Sequence, residues 1–134
     1  KSAGSMQGVI EIMDAPELNA KKIKSAVTDT GREVRFDEKE KPGISNLLTI
    51  HSVLSGRSIA ELESEFAGKG YGDFKAVVAE VVVEYFRPIR QRALEILEDE
   101  SGLLALLHQG ADKAALVAEK TLSEAYRNLG LVQR

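Results

Sequence analysis

The feature that most limits the fold is a long apolar repeat in the middle of the chain. Phe74, Val77, Val78, Val81, Val82, Tyr85, Phe86 and Ile89 recur at steps of three and four, which places them along one face of an α-helix. Val81-Val82-Val83 alone has the β-branched character of a strand, but the repeat outlasts the usual strand, and length decides for helix. The spacing predicts a helix from Phe74 to about Glu98, with Asp73 as its cap. A kink is expected at Pro88, whose ring crowds the preceding turn and removes one ladder bond. A stripe this long needs apolar partners.

The flanking sequence supplies them. Ile44 to Leu54 reads as a helix with Leu47, Leu48, Ile50, Val53 and Leu54 on its apolar side and Gly56 as its stop. Ser58-Ile59-Ala60-Glu61 is a capping box, in which the serine hydroxyl and the glutamate satisfy each other's orphan backbone donors. The helix it opens should end near Ala67, ahead of the glycine-rich loop Gly68-Lys69-Gly70-Tyr71-Gly72. Two helical segments are expected to close the chain, Leu103 to about His108 ended by Gly110, and Ala111 to Leu129 ended by Gly130. In the latter, Ala114, Val117, Ala118, Thr121, Leu122 and Ala125 should face inward. At the N-terminal side, Val9 to Met13 fits a short strand. Asp14 should cap a helix with Pro16 in its first turn, running to about Val27. Arg32 to Phe36 alternates charged and apolar residues but is too short to establish a strand, and Asp37 to Gly43 is a polar connector. The fold class expected is mainly α: a helical bundle behind a short extended N-terminal segment.

Composition narrows function by exclusion. With 134 residues and 43% apolar content, but no Trp, the chain suffices for one domain with a largely aliphatic core. The absence of Cys removes disulfides, thiolate metal sites and a cysteine nucleophile. No apolar run reaches the roughly 18 residues of a membrane span, and Lys1-Ser2-Ala3-Gly4-Ser5 does not lead into a signal-peptide apolar stretch. The chain does not open on Met, so a fragment or processed product is expected. The net charge of −3 is unlike that of most free-standing nucleic-acid binders. Phosphate contact depends on local charge, however, and is not excluded.

Few residues suggest chemistry on their own. His51 and His108 lack neighbouring ligands and read as structural or solvent-facing. Glu61/Glu65 and Glu98/Glu100 read as solvated helix faces. The loop 68–72 lies before a helix N-terminus, where backbone N–H groups and Lys69 suit a phosphate, yet it serves equally as a plain connector. Arg87, Arg90 and Arg92 form either a phosphate-facing strip or a solubilising face paired with Glu84 and Glu95. Lys21, Lys22 and Lys24 admit the same two readings.

Longer motifs carry a resemblance. Lys1-Ser2 matches the last two residues of a KMSKS signature, and Lys22-Ile23-Lys24-Ser25-Ala26-Val27-Thr28-Asp29 matches K-I-x-x-A-V-T-D. Val34-Arg35-Phe36-Asp37 is similar to I-R-Y-D, and Lys41-Pro42-Gly43-Ile44-Ser45-Asn46-Leu47-Leu48 reproduces K-P-G-I-S-N-L-L. Gly68 to Lys75 follows G-K-G-Y-G-x-F-K, and Gly110 to Ala114 fits G-A-x-K-A. In this order and spacing the chain resembles bacterial tryptophanyl-tRNA synthetases from the KMSKS signature onward.

The resemblance implies an enzyme that activates tryptophan with ATP and Mg and transfers it to the 3′ end of its tRNA. Residues 1–28 would be the end of the Rossmann catalytic domain, and 29–134 the helical domain that recognises the anticodon. Lys1 would stabilise charge on the ATP phosphates, with Ser2 in the same loop. Lys69, Tyr71, Lys75, Arg87, Arg90 and Arg92 would face tRNA, with Tyr71 stacking on an unstacked base. The chain alone is expected to lack catalysis and to bind neither ATP nor a metal. The parent enzyme would be a cytoplasmic homodimer joined through catalytic-domain contacts outside this sequence. The competing class is a helical adaptor built on a synthetase domain, which the negative charge favours; a self-sufficient enzyme finds no complete catalytic constellation.

Overall fold

A computed structural model describes residues 6–131. Among them are five α-helices, one short 3-10 turn at Met6–Gly8 and no strand. The helices are α1 (Pro16–Lys24), α2 (Pro42–Ser55), α3 (Ile59–Glu65), α4 (Tyr71–Glu98) and α5 (Glu100–Leu129). The mainly helical class expected from the sequence is what the chain adopts. It divides into two compact units, Lys1–Arg92 and Ala93–Arg134.

The first unit holds the core. Phe74, Val78, Ala79 and Val82 of α4 are buried together with Ile44, Leu47 and Leu48 of α2, Leu62 of α3, Phe66 and Val34. Phe66 and Phe74 meet edge to face at 5.0 Å between centroids, a geometry that pairs a ring's positive edge with its neighbour's negative face. The apolar repeat of α4 is therefore used over its first three turns. Farther along, Tyr85 and Ile89 are exposed, and the helix continues unbroken through Pro88.

The local signals at α2 and α3 operate as the sequence implies. Gly56 ends α2 in the left-handed region at φ 71°, and its N–H donates to the Ser52 carbonyl. Both halves of the Ser58/Glu61 capping box are present. Glu65, read as a solvated acid, forms an ion pair with Arg57 at 2.5 Å.

Other expectations are corrected. The strand at 9–13 does not form. Its carbonyls are taken by α1 side chains instead: Lys22 Nζ donates to Val9 O (2.8 Å) and Asn19 Nδ2 to Glu11 O (2.8 Å), and no strand lies among the described residues to pair with it. Asp14 does not cap α1. Ala15 is the N-cap, and the Asp14 carboxylate receives Lys22 Nζ at 2.6 Å. Helix α1 stops at Lys24, before the expected Val27. Asp73 lies in the first turn of α4, which opens at Tyr71. The two closing helices are one, α5, running through Gly110. Its expected inward face, Ala114 to Ala125, is exposed, and α5 has no buried residue.

The segment 32–37 forms no strand and is bonded through side chains rather than a ladder. Glu63 accepts from Phe36 N (2.6 Å) and the Ser45 hydroxyl from Asp37 N (2.7 Å), while Val34 enters the core.

Candidate functional site

Two of the residues that the sequence singles out, Tyr71 and Lys75, meet at one joint, where the chain leaving α1 runs by the N-terminal ends of α2 and α4. Tyr71 opens α4, so its ring points back over residues 26–31. Its hydroxyl donates to the Asp29 carboxylate, whose oxygens lie 2.7 and 2.9 Å away, and accepts from Lys41 Nζ at 2.8 Å. Lys41, immediately before α2, also pairs with Asp29 at 3.4 Å. The phenol thus bridges two opposite charges.

One turn later, Lys75 Nζ donates to the Ala26 carbonyl (2.7 Å) and to Thr28 Oγ1 (3.1 Å). Asp29 further accepts from Gly31 N at 2.8 Å, an Asx-type turn that closes the segment on itself. Gly43 presses against Val27 and Thr28 so closely that any Cβ there would strike the Val27 carbonyl. Residues 26–29 are thereby held by α4, by Lys41 and by the first turn of α2.

Titration behaviour follows the same contacts. The Tyr71 hydroxyl, followed by the Gly31 N–H and the Lys41 charge, holds the Asp29 carboxyl below the usual carboxylate range against a smaller cost of desolvation. Lys41 is raised chiefly by its bond to Tyr71. Tyr71 is pushed up, first by desolvation. The neutral phenol between an anion and a cation is the state that this geometry favours.

The remaining candidates lie apart from the joint. Lys69 places its ammonium 4.9 Å from the Phe66 ring centroid, a cation–π position, and Gly68 before it adopts φ 78°. Arg87 is ion-paired with Glu84 on the same helix, as the i,i+3 reading expected. Arg90 Nε donates to Asp14 O at 3.1 Å, and Arg92 is exposed but engaged. Sixteen residues of helix separate Tyr71 from Arg87, roughly 24 Å of axis. Of the six residues, Tyr71 and Lys75 therefore belong to the joint, Lys69 sits beside Phe66, and the three arginines lie farther along α4. Lys1 and Ser2 lie outside the described residues.

Asp29, Thr28 and Lys41 were not singled out from sequence as site residues. They stand inside the A-V-T-D and K-P-G-I-S-N motifs, but their pairing with Tyr71 and Lys75 spans up to 47 residues, and no local pattern shows it. Lys22, in the basic cluster of α1, is committed to Asp14 and Val9.

Among the described residues no group of three or more His, Asp or Glu could hold a metal ion. An open cleft of about 580 Å³ lies between Ile10, Lys22, Val27, Asn46 and Ile50, and Lys22 is its sole titratable lining residue. No described helix is long and apolar enough to cross a membrane.

Comparison with known proteins gives the joint its context. A family model for tRNA synthetases class I (W and Y) matches residues 1–87. Tryptophan–tRNA ligase 2 of Streptomyces avermitilis is 49% identical over 132 residues, covering 98% of this chain and 39% of that protein. The tryptophan–tRNA ligase of Leifsonia xyli is 48% identical over 133 residues, 99% of this chain and 40% of its own. Among solved structures, tryptophanyl-tRNA synthetase from Mycoplasma pneumoniae superposes with TM-score 0.77 at 30% identity over 98% of this chain and 42% of its own. The Campylobacter jejuni enzyme complexed with ADP and tryptophan gives 0.72 at 32% identity, over 96% of this chain and 40% of its own. The chain spans about two fifths of the length of these relatives, 39% in the first. With the family pattern covering 87 of its 134 residues, this chain belongs to the class I tRNA synthetases of the tryptophan and tyrosine kind.

Proposed function

We propose that the chain works as the C-terminal part of a tryptophan–tRNA ligase, an enzyme that acts in the cytoplasm to activate tryptophan with ATP and charge its tRNA. The observation that carries the reading is near-half identity to tryptophan–tRNA ligases along almost the whole chain, 49% over 132 residues. A related structure, from Campylobacter jejuni, was solved with ADP and tryptophan, which supports a nucleotide and tryptophan as the parent's ligands. In this reading Mg accompanies the ATP in the parent enzyme.

In this reading residues 1–28 close the catalytic domain, Lys1 and Ser2 serve the ATP phosphates, and 29–134 face tRNA. Phosphate-facing charge comes from Lys69, Arg87, Arg90 and Arg92. Tyr71 and Lys75 commit their polar atoms to the joint, and Lys41 Nζ lies over the Tyr71 ring at 5.4 Å from its centroid, so any RNA contact of Tyr71 is confined to the ring surface that Lys41 and the core leave open. The parent pairs as a homodimer through surfaces outside this sequence.

Two measurements test it. The isolated chain should show no tryptophan-dependent ATP–pyrophosphate exchange; clear turnover would overturn the division of labour. Titration with tryptophan tRNA at low salt should show binding that weakens as salt rises, because phosphate contacts release counterions. Equal affinity for a tRNA with an altered anticodon would remove the anticodon assignment. Absence of any binding would favour the adaptor.

A further inference from the structure

The joint does more than connect. Of the contacts that cross from residues 26–31 to the helical elements, the strongest involve charged donors or acceptors: Lys75 on the Ala26 carbonyl and the Thr28 hydroxyl, and Tyr71 with Lys41 on Asp29. The polar tips are partly shielded, with 11% of the Lys41 side chain and 21% of Asp29 exposed. Charge-assisted bonds are directional as well as strong, so each fixes an angle as well as a distance. A segment held only by apolar packing slides; one held by two ammonium groups and a phenol has one register. The triad also closes over Gly31, whose added Cβ would lie 2.6 Å from Asp29 Oδ1, 2.9 Å from Lys41 Nζ and 3.1 Å from Tyr71 Oη. The latch and the bare glycine fit each other.

We propose that Asp29, Lys41, Tyr71 and Lys75 form a latch that positions the segment N-terminal to α2 relative to the helical elements, and that the ligase depends on its register for the activation step. The proposal rests on the ligase reading above. These four are positioning residues. They act through the backbone of 26–31, and nothing in their geometry requires them to touch a ligand. Misplacement of a catalytic group by about 1 Å is enough to cost on the order of 100-fold in rate, so a latch far from the chemistry has a measurable lever.

The experiment uses the full-length ligase that carries these residues, with Tyr71→Phe, Lys75→Met and Gly31→Ala. Tyr71→Phe keeps the ring and removes the bridge; Gly31→Ala leaves every latch side chain in place but crowds the Asp29, Lys41 and Tyr71 polar atoms with its Cβ. The expected result is a fall in kcat for ATP–pyrophosphate exchange on the order of tenfold, with KM for tryptophan changed less than about twofold, as for an interaction used only in the transition state. Amide exchange in residues 26–31 should rise in the same variants. Tyr71→Phe combined with Asp29→Asn should cost little more than either alone, because both break one unit. Faster exchange at 26–31 with unchanged kcat would overturn the proposal, leaving a structural tie. So would unchanged exchange, or additive effects of the paired substitutions. If the unmodified full-length enzyme shows no activity with tryptophan, the ligase reading itself falls, and the proposal with it.

Discussion

His51 sits in the core with 2% of its surface exposed, and its hydrogen bonds define its protonation. Ser55 Oγ donates its single proton to the His51 carbonyl at 2.7 Å, so in the 3.1 Å contact between Ser55 Oγ and the ring, Nδ1 must be the donor. Nε2 then carries a lone pair, buried and without a partner. Protonating it would bury a cationic N–H with nothing to receive it. Burial accordingly lowers the His51 pKa, with Arg57 adding to the effect and Glu65 opposing it. Phe74, stacked at 6.4 Å, offers no acceptor. A histidine depressed in the folded state contributes stability that is complete above its unfolded value and lost as pH falls through the folded one. The chain should therefore weaken below about pH 6.5, the ordinary imidazole value. Chemical denaturation across that range checks this, and His51→Phe should flatten the slope; an unchanged slope would place the proton elsewhere. Gly43 gives a second residue-scale case. Gly43→Ala forces a Cβ into the Val27 carbonyl, a backbone atom that moves only with the whole linker. Overpacking of this sort typically costs about 1–3 kcal/mol, readable as a lowered denaturation midpoint with the slope kept.

At the scale of elements, what the sequence discloses depends on how local the cause is. The capping box of α3 needs four consecutive residues, and Ser58 and Glu61 make it as expected. Ser58→Ala should cost about 1 kcal/mol, measured by equilibrium denaturation; no loss would show that water replaces the serine hydroxyl. The strand expected at 9–13 failed for a non-local reason. A strand needs another strand, whereas here α1 side chains satisfy the Val9 and Glu11 carbonyls first. Gly110 misled differently. A glycine ends a helix by adopting positive φ, as Gly56 and Gly130 do, and Gly110 does not; a mid-helix glycine costs only about 1 kcal/mol, too little to divide α5. The joint was half legible. Tyr71 and Lys75 stood out, but reading them as RNA-facing rested on the family resemblance, and only the tertiary pairing with Asp29, Thr28 and Ala26 shows where their polar atoms go.

For the molecule as a whole, the distribution of burial sets how it should unfold. Every residue of the buried apolar cluster lies between Ile23 and Val82, inside the unit Lys1–Arg92, and the family match ends nearby at residue 87. Helix α5, by contrast, exposes Leu106, Leu107, Leu116, Val117, Leu122 and Leu129 by more than half. Most helical stability in proteins comes from packing one apolar face rather than from propensity. A 30-residue helix with no buried side chain has its own ladder, the Asp99 cap and the Gly130 stop, and little else. Unfolding should therefore split: α5 losing ellipticity gradually at lower temperature, the first unit melting cooperatively above it. A chain ended after Glu98 keeps α4 and the whole core, so its main transition should fall within a few degrees of the full chain's while the gradual phase disappears. Far-UV circular dichroism of the two chains checks this. A single cooperative transition in the full chain, lost on truncation, would mean that α5 shares the core's stability and that the apolar residues along it are covered in solution.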